Sequence, residues 1–155
     1  MRDKAGNRTL GVVLLAALTI TVIFWPQKFS DYAHTDRTEA RFMLVIAWDS
    51  GARRQYANGE IQPEEMERIL SLLNDGRLYC QGFWRTITYP GDEILYSVTL
   101  GHESQGGYVT DARFELLSDG SLYDVWYNVG YIRYRLTGCD MEAVTAALDA
   151  LLDIG

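Results

Sequence analysis

The sequence predicts an α+β protein: one N-terminal transmembrane helix, then a two-layer domain in which an antiparallel β-meander sheet carries two helices on one face. Three observations predict it. An uncharged apolar run lies near the N-terminus, two stripes of helical period flank the rest of the chain, and a series of short strands separated by turn residues lies between the stripes.

The apolar run is TLGVVLLAALTITVIFW, residues 9–25, free of charge, amide and proline. At 1.5 Å per residue it covers roughly 26 Å, near the lower limit for a span. A core helix would show a polar face, but here only Thr9, Thr19 and Thr21 are polar, and their hydroxyls can bond back to helix carbonyls. Arg2, Lys4 and Arg8 precede the run against one Asp3, so the positive-inside rule leaves residues 1–8 as a cytoplasmic tail and exports the chain beyond the run. Trp25 suits the far headgroup boundary. A cleaved signal peptide shares the basic start, but no small-x-small site comes after Trp25, which favours a retained signal-anchor. The expected location is a single-pass plasma membrane protein with its domain extracytoplasmic.

Residues 26–40 are polar without a sustained period and read as a juxtamembrane stalk, with the domain at 41–155. From Pro26 onward 11 Lys and Arg face 20 Asp and Glu, a net of −9 that the +2 of residues 1–25 brings to −7. So acidic a domain argues against nucleic acid as a partner and against adhesion to an anionic lipid surface.

RFMLVIAW at 41–48 reads as a strand buried on both faces. Asp49-Ser50-Gly51 turns the chain, ARRQYA reads as a short edge strand, and Asn58-Gly59 turns it again. In IQPEEMERILSLLNDG, Pro63 fits the first helical turn, the glutamates favour its positive end, and Gly76 stops it. Met66, Ile69, Leu70 and Leu73 share one face, which is assigned to core packing. Strands and turns alternate from Leu78 to Leu136, with turns at Pro90-Gly91-Asp92, 102–107, Ser118-Asp119-Gly120-Ser121 and Gly130, predicting a meander of about five strands. In the closing segment Asp140 can cap a helix whose stripe is Met141, Val144, Leu148, Leu151 and Leu152.

Strand alternation sorts side chains between the faces. Tyr108, Ala112, Phe114 and Leu116 oppose Asp111, Arg113 and Glu115; Ile132, Tyr134 and Leu136 oppose Tyr131, Arg133 and Arg135. Tyr123, Val125 and Tyr127 oppose Asp124, Trp126 and Asn128, while Phe83, Ile87 and Tyr89, with Arg85 among them, oppose Trp84, Thr86 and Thr88. The face away from the helices then gathers Trp84, Trp126 and Tyr131 with Arg113, Arg133 and Arg135, the residue types of binding hot spots. The competing expectation is that these are cross-strand pairs stabilising a half-exposed sheet.

Cys80 and Cys139 would both be exported, where a disulfide between them is permitted. His34 and His102 lack metal-ligand spacing relative to either, so no metal or other cofactor is expected. No nucleophile elbow, phosphate loop, dinucleotide fingerprint or paired-histidine zinc motif is present, and His102-Glu103-Ser104 reads as a hairpin tip. The expectation is no enzyme. A membrane-tethered binding or accessory module for an extracytoplasmic protein or peptide leads, with an envelope ligand sensor acting through a membrane partner as the alternative and a small hydrolase third.

The layout FMLVIAWDSG, IQPEEMERILSLLND, SDGSLYDVW, YIRYRL resembles small exported domains of unknown function from Gram-positive bacteria. The resemblance implies an extracytoplasmic place and no activity. This chain departs from the lipoprotein versions in lacking a cysteine after the apolar run.

Overall fold

In a computed structural model, the chain is described over residues 11–19, 21, 25–35, 41–48, 61–87, 94–126 and 130–152, excepting the side chains of Arg41, Val125 and Trp126. The fold is α+β, a curled antiparallel sheet with four helices. The expected ARRQYA edge strand and the turns at 49–51, 58–59 and 90–92 lie outside the described residues.

Residues 11–19 and 21 are helical (α1). The Thr19 hydroxyl donates to the Leu15 carbonyl at 2.8 Å and that of Thr21 to the Ala17 carbonyl at 2.9 Å, the back-bonding expected of hydroxyls in an apolar helix. Val12, Val13, Leu14, Leu15 and Leu18 are all exposed, so α1 lends nothing to the core. Among the described residues no helix is long and apolar enough to cross a membrane; the rest of the 9–25 run lies outside them.

The segment expected as a stalk enters the domain. Gln27–Lys28 forms strand β1, and Phe29–Ala33 forms helix α2 with Phe29 and Ala33 fully buried. The Phe29 amide donates to the Gly76 carbonyl at 3.0 Å, and the Phe29 ring meets Phe114 edge-on with centroids 5.5 Å apart. Residues 26–35 therefore belong to the fold, and the domain does not start at 41.

The remaining elements are β2 (Arg41–Trp48), α3 (Pro63–Asn74), β3 (Arg77–Trp84), β4 (Leu95–Ser104), β5 (Gly107–Leu117), β6 (Ser121–Trp126), β7 (Gly130–Thr137) and α4 (Met141–Leu151). Strand order is β1-β3-β7-β6-β5-β4-β2, with every pair antiparallel. Strands β4 to β7 form the expected meander. β3 does not join it at the near end: it pairs with β7, Leu78 opposite Leu136 and Trp84 opposite Tyr131. Among the described residues β2 is an outer strand, and it is fully buried on one face only: Met43, Val45 and Ala47 are buried and the alternating residues half-buried.

Helices α2, α3 and α4 cover one face. Their stripes, Met66, Ile69, Leu70 and Leu73 on α3 and Val144, Ala147 and Leu148 on α4, share a core with Val98, Leu100, Phe114, Leu116, Leu122 and Leu136. Each such side chain stabilises the fold by about 1.5–3 kcal/mol. Asp140 accepts from the Ala143 amide at 3.1 Å, capping α4 as its sequence predicts.

The cysteines do not meet. The Cys139 sulfur lies beside Gly76, 3.5 Å from where a β-carbon there would stand, and its thiol faces the Met141 sulfur at 3.7 Å. Cys80 is opposite Tyr134, four residues further along β3 from Gly76, or roughly 13 Å of extended strand, whereas a disulfide needs α-carbons within about 7 Å. Both are free thiols, and burial pushes that of Cys139 up.

Phe29→Ala should cost about 3–5 kcal/mol in a denaturant unfolding experiment, as for any buried phenylalanine. A stalk residue would give a change within about 0.5 kcal/mol.

Candidate functional site

The face away from the helices is where the expected site residues converge, and β3–β7 pairing shapes it. β3 and β4 run in the same direction with three strands between them, so the connection from Trp84 to Leu95 is not a hairpin. Ile87 in that connection packs on a second core of Leu95, Leu117 and Tyr123, which Trp48 and Tyr131 also border. Side chains from opposite edges of the sheet thus meet over one cluster, and the face curls around it.

Arg133 sits at the centre. Across β7 its neighbours are Gly82 on β3 and Tyr123 on β6. A bulge between Cys80 and Gly82, with Gly82 at φ +122°, leaves no side chain there, and Trp84 leans over instead. The Arg133 guanidinium carbon lies 5.5 Å from the Trp84 ring centroid and 5.6 Å from that of Tyr123, a cation held between two π faces. Each such contact contributes roughly 0.5–2 kcal/mol as solvent is excluded. Tyr131 meets Tyr123 edge-on with centroids 6.5 Å apart, closing the cluster.

Polar bonds fix the other end of the arginine. Arg133 Nη2 donates to the Ser121 hydroxyl at 3.0 Å, and that hydroxyl donates to Asp119 Oδ2 at 3.0 Å. The Ser121 amide donates to Asp119 Oδ1 at 2.7 Å, and Arg135 Nη1 to Oδ2 at 3.0 Å. The β5–β6 turn presents this carboxylate because Gly120, at φ +84°, takes the left-handed position, its amide donating to the Leu117 carbonyl at 3.0 Å. Arg133 Nε is buried without a hydrogen-bond partner. Burial alone would raise the Asp119 pKa, but the two Ser121 bonds and the Arg135 charge outweigh it and hold the carboxyl below its usual range. Burial raises the Tyr123 phenol, with Arg133 opposing.

Of the six expected residues, Trp84, Tyr131, Arg133 and Arg135 adjoin on this face. Arg113 lies on the same face two strands from β7 and is exposed. Trp126 falls at a register position shared with Leu122 and Asp124, the parity of the helix-covered face, and its side chain lies outside the described residues. The β6 assignment is inverted because Leu122 and Tyr123 are both buried, one in each core. Asp124 instead borders Tyr32 of α2, whose buried hydroxyl lacks a well-formed hydrogen bond and whose pKa burial and the Asp124 charge raise.

A second polar group escaped the sequence reading. His102 belongs to β4 rather than to a hairpin tip, is buried, and its Nδ1 lies 2.7 Å from Asp111 Oδ2. Asp111 occupies the bulge where Leu100 faces Ala112 and Gly101 faces Thr110, so strict alternation misplaces it. With Met66 and Leu70 it lines a shallow hollow with room for little more than a water molecule. Among the described residues no hydroxyl or thiol is hydrogen-bonded to the imidazole, and no three His, Cys, Asp or Glu side chains could hold a metal ion.

Comparisons with protein-family models, with curated proteins and with solved structures find no match. The face presents a guanidinium held between the Trp84 and Tyr123 rings, with part of the Trp84 indole open to solvent.

The Asp119 carboxyl has a pKa below its unfolded value, so its stabilisation is fully present above about pH 4 and is lost as pH falls through the lower, folded value. Asn at 119 can still accept the Ser121 amide. Asp119→Asn should therefore be less stable at pH 7 by no more than about 1 kcal/mol, the carboxylate being 40% exposed, with the gap closing on acidification below about pH 4. A gap constant with pH would assign the effect to turn geometry alone.

Proposed function

We propose that the protein is a membrane-tethered extracytoplasmic binding or accessory module, held by residues 9–25, that engages a protein or peptide partner through the Trp84, Tyr131, Arg133 and Arg135 part of the sheet. One observation carries this reading: the Trp84 indole remains 43% exposed although its ring is already fixed against Arg133. An aromatic anchor whose rotamer is set before binding loses little entropy on association. Arg133 and Arg135 lie behind and beside it, supported by Ser121 and Asp119, so charge reaches the same surface without free long side chains. The anchor supports the reading by concentrating the domain near other membrane-held proteins. The exposure of Val12, Val13, Leu14, Leu15 and Leu18 on α1 supports the anchor.

Crosslinking capture from membranes by the full chain tests this. Trp84→Ala should reduce capture of a specific partner at least about tenfold, the loss expected of a hot-spot aromatic. Far-UV dichroism should match that of the parent, and the thermal midpoint should fall by no more than the loss of one cation–π contact of about 0.5–2 kcal/mol allows, leaving the variant folded. Undiminished capture by the folded variant would remove this face from the account.

A further inference from the structure

Six large apolar side chains remain exposed outside α1 among the described residues: Trp25, Tyr79, Phe83, Trp84, Tyr108 and Val109. Four of them lie along or beside β3. The inner side of that strand pairs with β7 throughout, but its outer side is covered by β1 only at Arg77 and Leu78. From Tyr79 to Trp84 no described strand lies on the outer side. An open edge with exposed aromatics is a pairing hazard that folded proteins cover or blunt.

Connectivity says what lies next to this edge. β1 is antiparallel to β3, with Gln27 opposite Leu78 and Lys28 opposite Arg77. Tracing back from Gln27, the chain therefore leads in the direction of Tyr79 and the Phe83 end. Trp25 stands only two residues from Gln27, at most about 7 Å of extended chain. The apolar run thus reaches the domain at this edge and no other.

The edge also differs in charge from the rest of the domain. No acidic residue occurs between Asp75 and Asp92, while Arg77 and Arg85 do, and Lys28 lies across from Arg77. An acidic domain is repelled by an anionic lipid surface as a whole, but this strip is not. Tryptophan and tyrosine favour the headgroup layer on either side of the membrane, and the basic side chains of this strip add no charge that anionic headgroups would repel. Backbone groups at that depth remain hydrated, so an unpaired edge is tolerated there as it would not be in hydrocarbon.

We infer that the outer edge of β3, Tyr79 to Arg85 together with Trp25, rests in the headgroup layer of the bilayer that holds residues 9–25. The inference rests on the anchor reading above and adds an orientation to it. Phe83, 71% exposed, is the side chain that enters deepest, while the Trp84 ring stays on Arg133 and keeps the sheet face available. Tyr108, equally aromatic and exposed, stacks on Phe42 at the far side of the sheet and stays in water.

The full chain, isotope-labelled in nanodiscs of mixed phosphatidylcholine and phosphatidylglycerol, gives the test. Headgroup-labelled nitroxide lipid should broaden the amides of Tyr79 to Arg85 by at least about half and spare Gly106 to Val109. Phe83→Asp should restore those signals while acyl-chain nitroxide continues to broaden Gly11 to Thr19. If Gly11 to Thr19 are not broadened, the anchor reading fails and takes this inference with it. If they are broadened but Tyr79 to Arg85 are not, the anchor stands and the inference is overturned. Protection of this edge that tracks protein concentration rather than lipid would assign it to a second copy of the chain and also overturn the inference.

Discussion

The pairing of β3 with β7, the first and last of the five strands after α3, puts three strands between β3 and β4, so the connection beyond Trp84 is not a hairpin. Without it the five strands would form a flat meander with one wet face. With it, Ile87 is laid across that face, Leu95, Leu117 and Tyr123 become a second core, and the sheet curls. Placing the two ends of the strand run side by side costs more chain entropy than any hairpin, and the added burial offsets that cost. The same pairing sets Gly82 and Trp84 against Arg133 and Tyr131, so the stacked arginine is a product of topology as much as of composition. It also leaves the outer side of β3 free to receive β1, through which the N-terminal segment joins the fold.

How much of the fold and the face is legible in the sequence depends on how far each signal reaches along the chain. The stripes of α3 and α4 and the Asp140 cap are local patterns of helical period and lie where the sequence puts them. The four meander strands are joined by short turns, which are also local. The β3–β7 partnership is non-local and leaves no periodic trace, and the second core depends on it. The clue to α2 is present but brief: Phe29, Tyr32 and Ala33 have helical spacing, and Phe29 and Ala33 are buried, yet five residues are too few for a period to show. Asp111 and Tyr123 depart from their expected faces for different reasons. A bulge shifts the first out of alternation. For the second, alternation assumes that one face of a strand is wet, and at Leu122 and Tyr123 β6 is buried on both.

Beside the recognition proposed for it, the face opposite the helices has the structural role that the sequence poses as the alternative. Arg133, Tyr123, Ser121 and Asp119 stabilise the sheet through cross-strand stacking and hydrogen bonds, as the competing expectation holds. Trp84 and Arg135 extend from that support toward solvent. A rigid platform with an exposed rim suits recognition better than a loose patch of the same residues, because the cost of ordering it is met in folding. Free thiols at Cys80 and Cys139 leave this platform dependent on packing and hydrogen bonding rather than on a covalent tie.

Strand pairing is read most directly from cross-strand nuclear Overhauser contacts in the isotope-labelled full chain. The account predicts contacts between β3 and β7, Leu78 with Leu136 and Phe83 with Ile132, and between Gln27 and Leu78 on the outer side. Contacts between β3 and β4 in place of these, as a simple hairpin across residues 85–94 would give, would contradict it. They would dissolve the second core, the stacked arginine and the entry of the N-terminal segment at the β3 edge together.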